Sequence, residues 1–150
     1  MFRFQMPVNL STLNVFNLAV SWSLFLLIWM VQIIIYPGFI RIPSNEFVSY
    51  HRWYAIRIAC IVVPLMICEA IITISWIILD DDAVFPLISI FLIIIIWLST
   101  FVLQVPIHKQ LQVGKDDACI KRLVTTNWIR TLSWSLKAVF VTIGAGKIVL

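Results

Sequence analysis

Four apolar runs dominate the chain: Leu13 to Tyr36, Ile56 to Leu79, Phe85 to Val105 and Thr131 to Leu150. Each is close to the roughly 20 residues with which an α-helix crosses about 30 Å of hydrocarbon. A helix with one wet face carries polar residues every three or four positions. The stretch from Phe85 to Phe101 offers only Ser89, Ser99 and Thr100. The pattern therefore predicts an all-α fold, one integral membrane domain over residues 1–150 with spans at about 13–36, 47–79, 85–106 and 118–149. Short polar connections favour antiparallel neighbours, hence a four-helix up-down bundle.

Punctuating residues set the expected ends. Asn9, Ser11 and Thr12 suit a helix start before the first span. Pro37-Gly38 is expected to stop the first helix at Tyr36. The second helix starts near Ser44 or Asn45, outruns the bilayer at that end, and carries Pro64 inside it, which predicts a kink. Pro86 suits the first turn of the third helix, which should end by Pro106. Asp116 or Asp117 can open the fourth. The two hairpins also echo one another: Gln32, Pro37, Trp53 and Arg57 run parallel to Gln104, Pro106, Trp128 and Arg130. That is the pattern of a parallel internal repeat.

Composition sharpens the membrane reading. Apolar residues make up 62% of the chain, charged residues 12%, and the mean hydropathy is +1.04, far above a soluble domain. The first run is too long for the core of a signal peptide and no small-x-small site follows it, so a retained helix is expected. Cys60, Cys68 and Cys119 form no C-x-x-C pair, and two of them fall inside the second span. Inert buried thiols are expected rather than a disulfide framework.

Charge gives an orientation. Arg41, Arg52 and Arg57, with Lys109, Lys115, Lys121, Arg122 and Arg130, place eight of the 11 basic residues beside two connections on one side. The opposite side carries Asp80-Asp81-Asp82. The positive-inside rule puts both basic loops in the cytoplasm and both termini outside, with a bacterial inner membrane as the expected location. A basic belt also attracts anionic headgroups of membrane lipids. It flanks spans rather than forming a separate basic domain, which argues against nucleic acid.

Polar side chains inside lipid are costly, so each is a candidate for function. Helical spacing groups them: Trp29, Gln32 and Tyr36; Tyr50, His51, Tyr54 and Arg57; Trp97, Thr100, Gln104 and His108; Asn127, Arg130, Trp134 and Lys137. All four sets lie toward the cytoplasmic end and predict a polar vestibule with aromatic walls. Interhelical hydrogen bonding and interfacial belt residues would produce the same stripes without a site. Arg57 and Arg130 can hold an oxyanion or carboxylate, His51 and His108 can move protons, and the tryptophans can pack an apolar body. Paired histidines can also ligate haem iron or a transition metal. No carboxylate or cysteine stands at ligand spacing beside them, so no cofactor is expected. Glu69 lies near mid-bilayer, where a lone carboxylate is neutral or partnered. Lys137 reaches similar depth, and the expected arrangement is a Glu69–Lys137 pair. A protonated Glu69 bonded to backbone freed by Pro64 is the other arrangement.

Val105-Pro106-Ile107-His108, closing the third span, and Thr126-Asn127-Trp128-Ile129-Arg130, opening the fourth, carry a resemblance. They resemble motifs of a broad family of small four-helix membrane proteins that includes the fungal anthrone oxygenases. The resemblance implies a four-span bundle and oxidation of a hydrophobic polycyclic substrate without an evident cofactor. It carries Asn127, Arg130 and His108 over as candidate residues. It is confined to the second hairpin, and Tyr50-His51-Arg52-Trp53 of the first has no counterpart in it.

The expected function is binding or transforming a small lipophilic or anionic molecule near the cytoplasmic face, with oxidoreductase chemistry among the readings. A non-catalytic subunit or scaffold of a larger membrane complex, a small transporter and a homo-oligomer are the alternatives. No nucleophile constellation or phosphate loop selects among them.

Overall fold

Apolar side chains cover the outside, while the few polar ones of the apolar runs turn inward among a buried apolar core. The computed structural model describes residues 10–80 and 84–149. Asn9, Asp81 and Asp82 lie outside the described residues. The chain forms four helices, α1 (Leu10–Arg41), α2 (Ser44–Leu79), α3 (Val84–Leu111) and α4 (Asp117–Val149). Three of them, α1 to α3, are long and apolar enough to cross a membrane. The 33 residues of α4 match them in length. Its polar Asn127, Arg130, Thr131, Ser133 and Lys137 are all buried.

The helices pack in a ring, α1 on α2, α2 on α3, α3 on α4 and α4 back on α1. Side chains from α2 and α4 meet across its centre. Buried apolar residues are concentrated toward the end that holds both short basic connections, in a cluster containing Phe39, Phe47, Leu111 and Trp134. A smaller cluster of Leu13, Trp76 and Val141 fills the other end. There Gly144 lies under the Trp76 indole; a Cβ at this position would stand 2.8 Å from two ring carbons.

Two expected helix ends are corrected. α1 passes through Pro37 to Arg41 and α3 passes through Pro106 to Leu111. The reason is local. A proline has no N–H to donate back along an α-helix. In both helices the turn ahead of the proline widens to π-helix, at Val31–Ile35 and at Thr100–Gln104. Tyr36 N–H then bonds Val31 O, and Val105 N–H bonds Thr100 O, each reaching back five residues. The backbone is thereby satisfied beside the proline, and the helix continues.

Other ends follow the sequence. α2 starts at Ser44, and its 36 residues span about 54 Å. Pro64 lies inside it on the outer face. Asp116 caps α4: its Oδ1 accepts from Ala118 N at 2.8 Å and Cys119 N at 3.1 Å. The N–H of Cys119 first, and then its thiol and the N–H of Ala118, hold the Asp116 carboxyl below its ordinary range. Lys115 Nζ ties this loop to the other one, donating to Ile40 O at 2.7 Å and Ile42 O at 2.9 Å. The cysteines are corrected as well. They are free thiols, but Cys60 and Cys68 lie exposed on α2 instead of buried, and Cys119 is half-buried.

Candidate functional site

The two π-helical turns set the site, because Tyr36 and His108 both follow them. Tyr36 begins the helix after the first, and His108 lies one turn past the second. The Tyr36 hydroxyl meets His108 Nε2 at 3.0 Å. His108 Nδ1 in turn meets His51 Nε2, from α2, at 2.9 Å. Phe47 stacks on His51 with ring planes 16° apart, and Phe39 packs edge-on against it. Three titratable groups from three helices thus form one hydrogen-bonded chain. His51 Nδ1, at its far end, is buried with no partner.

Two ring nitrogens facing each other at 2.9 Å share a proton between them. Metal ligands instead direct both lone pairs at one ion about 2.0–2.1 Å from each nitrogen. The pair does not fit a metal or haem iron in this arrangement. Among the described residues no cluster of three or more metal-ligating side chains occurs.

Tyr36 and His108 face a cavity of about 340 Å³. α2 supplies one wall, from Tyr54 through Ile58 and Val62 to Met66; Leu27 and Val31 of α1 close the back. Thr100, Gln104, Val105 and Lys109 of α3 and Arg130 of α4 complete it. Arg130 is 6% exposed, and its guanidinium lies 5.1 Å from the centre of the Trp134 ring. Among the described residues no carboxylate lies within ion-pair distance of it. Arg130 Nε and Gln104 Oε1 are buried without hydrogen-bond partners.

Beyond the cavity the other face of the network begins. Trp134 Nε1 donates to Glu69 Oε2 at 3.1 Å. Lys137 Nζ stands 3.2 Å from Glu69 Oε1, with both side chains fully buried. Lys137 also donates to Ser21 Oγ at 2.9 Å. The expected Glu69–Lys137 pair is therefore present, and Trp134 links it to Arg130.

The remaining sequence-derived candidates divide. Tyr54 and Gln104 line the cavity. Gln32 and Asn127 do not. They bond each other, Asn127 Nδ2 to Gln32 Oε1 at 2.8 Å, with Thr131 Oγ1 adding a bond to the same oxygen at 3.2 Å. Gln104 also crosses to α4, donating to Thr126 Oγ1 at 3.0 Å. Arg57 is a correction. It lies exposed, its guanidinium 4.4 Å from the centre of the Trp53 ring, and takes no part in the site. Tyr50 is likewise 42% exposed. Trp97 is half-buried against Phe101 and does not line the cavity beside Tyr36 and His108. The internal echo of the hairpins breaks at this point, since Arg57 faces out where Arg130 faces in.

Sequence reasoning missed Asn14, Asn17 and Ser21, all buried on α1, the last of them a partner of Lys137. Their spacing at i, i+3 and i+7 in an otherwise apolar helix was the available signal. No family model, no characterised protein and no solved structure matches this chain.

Proposed function

We propose that this chain is an integral membrane protein, a four-span up-down bundle with its basic loops in the cytoplasm and its termini outside. Its cavity binds a small lipophilic molecule by an oxygen-bearing head and exchanges a proton with that head. The observation that carries this reading is the His51–His108–Tyr36 chain, which ends on a mainly apolar cavity. If His51 donates to His108 and His108 to Tyr36, the Tyr36 O–H is left to donate to a ligand oxygen. Reversing both tautomers moves a proton the other way, toward His51 Nδ1. An apolar cavity with a few convergent polar groups is the usual form of a small-molecule site.

Identification of co-purifying lipophiles by native mass spectrometry of the full chain, released from gentle detergent, tests this. A stoichiometric bound lipophile is expected, and Ala55→Leu, which fills the cavity wall, should reduce it. A chain that carries nothing, with no difference between wild type and variant, sinks the reading.

A second reading follows the resemblance to the anthrone-oxygenase-like family, namely oxidation of a polycyclic phenol in the same cavity. Its support is that His108 and Arg130, two of the three carried-over residues, line that cavity, although Asn127 does not. Dioxygen uptake on addition of a reduced polycyclic phenol, absent in His108→Phe, distinguishes it.

A further inference from the structure

Resting on the cavity reading above, we infer that the ligand is a single-chain amphiphile with an anionic head, admitted sideways from the bilayer between α2 and α3. The charge argument comes first. Among the described residues three Arg, Lys, Asp or Glu side chains are buried: Arg130, Lys137 and Glu69. Glu69 is taken by Lys137 and Trp134. With these three charged, one positive charge is left over, and it sits on Arg130 at the cavity wall. An unpaired buried charge is costly. The Trp134 ring covers one side of the guanidinium, and Nε remains without a partner. An anionic head in the cavity supplies the missing charge, and the Tyr36 hydroxyl lines the same cavity.

Shape then selects the rest of the molecule. From Tyr54 to Met66 the α2 wall runs 12 residues, roughly 18 Å. Away from Arg130 and His108 it is lined by Ile58, Val62 and Met66. The polar end faces the basic loops and the apolar end faces mid-span. That is how a lipid-derived amphiphile lies in the cytoplasmic leaflet.

The opening points the same way. Ala59 and Val63 of α2 and Lys109 of α3 line the cavity and are also exposed, so the cavity reaches the surface along that seam. The surface beside it is Ile56, Ile67, Phe101 and Val102, all exposed and apolar. An acyl chain can slide in across such a rim, while Lys109 at the mouth meets the head.

The test uses the full chain in neutral detergent with dodecanoate and dodecanol as probes. Wild type should bind the carboxylate on the order of tenfold more tightly than the alcohol, the effect of one charge-assisted hydrogen bond. Arg130→Gln should bring the two probes to equal affinity, and Arg130→Lys should keep part of the preference. Val63→Trp, at an exposed rim position, should weaken both probes. Equal affinities in wild type overturn the anionic head and leave the cavity reading standing. Failure of both probes to bind overturns the cavity reading itself. Undiminished binding in Val63→Trp overturns the side opening.

Discussion

Glu69 and Lys137 come from helices on opposite sides of the ring and meet at its centre, 3.2 Å apart and shut off from the surface. Breaking a buried ion pair by removing one partner leaves the other charge uncompensated, at a cost of about 3–5 kcal/mol. Glu69→Gln and Lys137→Met should each destabilise by that order. The double variant should lose less than the sum, with a coupling of about 0.5–3 kcal/mol. Thermal unfolding in a fixed detergent measures it, and simple additivity would contradict direct contact.

His108 bonds both Tyr36 and His51 and so links α1 to α2. Tyr36→Phe should cost about 1–3 kcal/mol, because it leaves one buried group, His108 Nε2, without its bond. His108→Phe should cost more, because it strands the Tyr36 hydroxyl and His51 Nε2 together in the interior, at about 1–3 kcal/mol for each buried group left unpaired. Equal losses in the two variants, read from unfolding midpoints, would show that the chain is not continuous.

Of the four glycines, Gly144 is the one at which an added Cβ would meet close neighbours. A methyl group there meets the Trp76 ring at 2.8 Å and Phe85 Cβ at 3.3 Å. Gly144→Ala should destabilise by about 1–3 kcal/mol through overpacking. Gly114, in the connection before α4, has nothing within 4 Å of such a methyl. Gly114→Ala should be close to neutral, and the two melting points side by side check the contrast.

Asp116 gives a pH dependence at the connection before α4. Its carboxyl is held below the ordinary value of 3.8. A lowered folded-state pKa means that the cap contributes fully above the unfolded value and fades as pH falls through the folded one. Stability of wild type should therefore dip relative to Asp116→Asn below about pH 4 and stay level from there to neutrality. Amide exchange at Ala118 and Cys119, followed from neutral pH downward, reads it directly.

Lys115 bridges the two basic connections by bonding Ile40 O and Ile42 O. Lys115→Met should free the α1–α2 connection and speed tryptic cleavage after the exposed Arg41 severalfold, with little change in the melting point. An unchanged cleavage rate would mean that the bridge is not what holds the loop.

Much of this arrangement could be read in the sequence, for a physical reason. In an apolar helix the few polar positions are the only ones that reveal which face turns inward, since lipid and core are alike to a leucine. Gln32, Tyr36, His108, Arg130 and Lys137 declared their faces in this way, and so did Glu69. Arg57 and Tyr50 face outward because they lie toward the Ser44 end of α2, where long amphipathic side chains reach outward as readily as inward. Asn14, Asn17 and Ser21 were passed over although they carry the same signal. Pro37 and Pro106 read as stops because proline removes one backbone donor, while the compensating wide turn leaves no mark in composition.

Those wide turns carry one residue more than the helix around them needs. If the same five residues, Thr100–Gln104, wound evenly as α-helix with none removed, everything beyond them would turn by about 90°. His108 would swing away from Tyr36 and His51 with no change in its own identity. The contact of His108 with Tyr36 and His51 is thus set by how the backbone winds one turn earlier, where the wide turn takes up the extra residue.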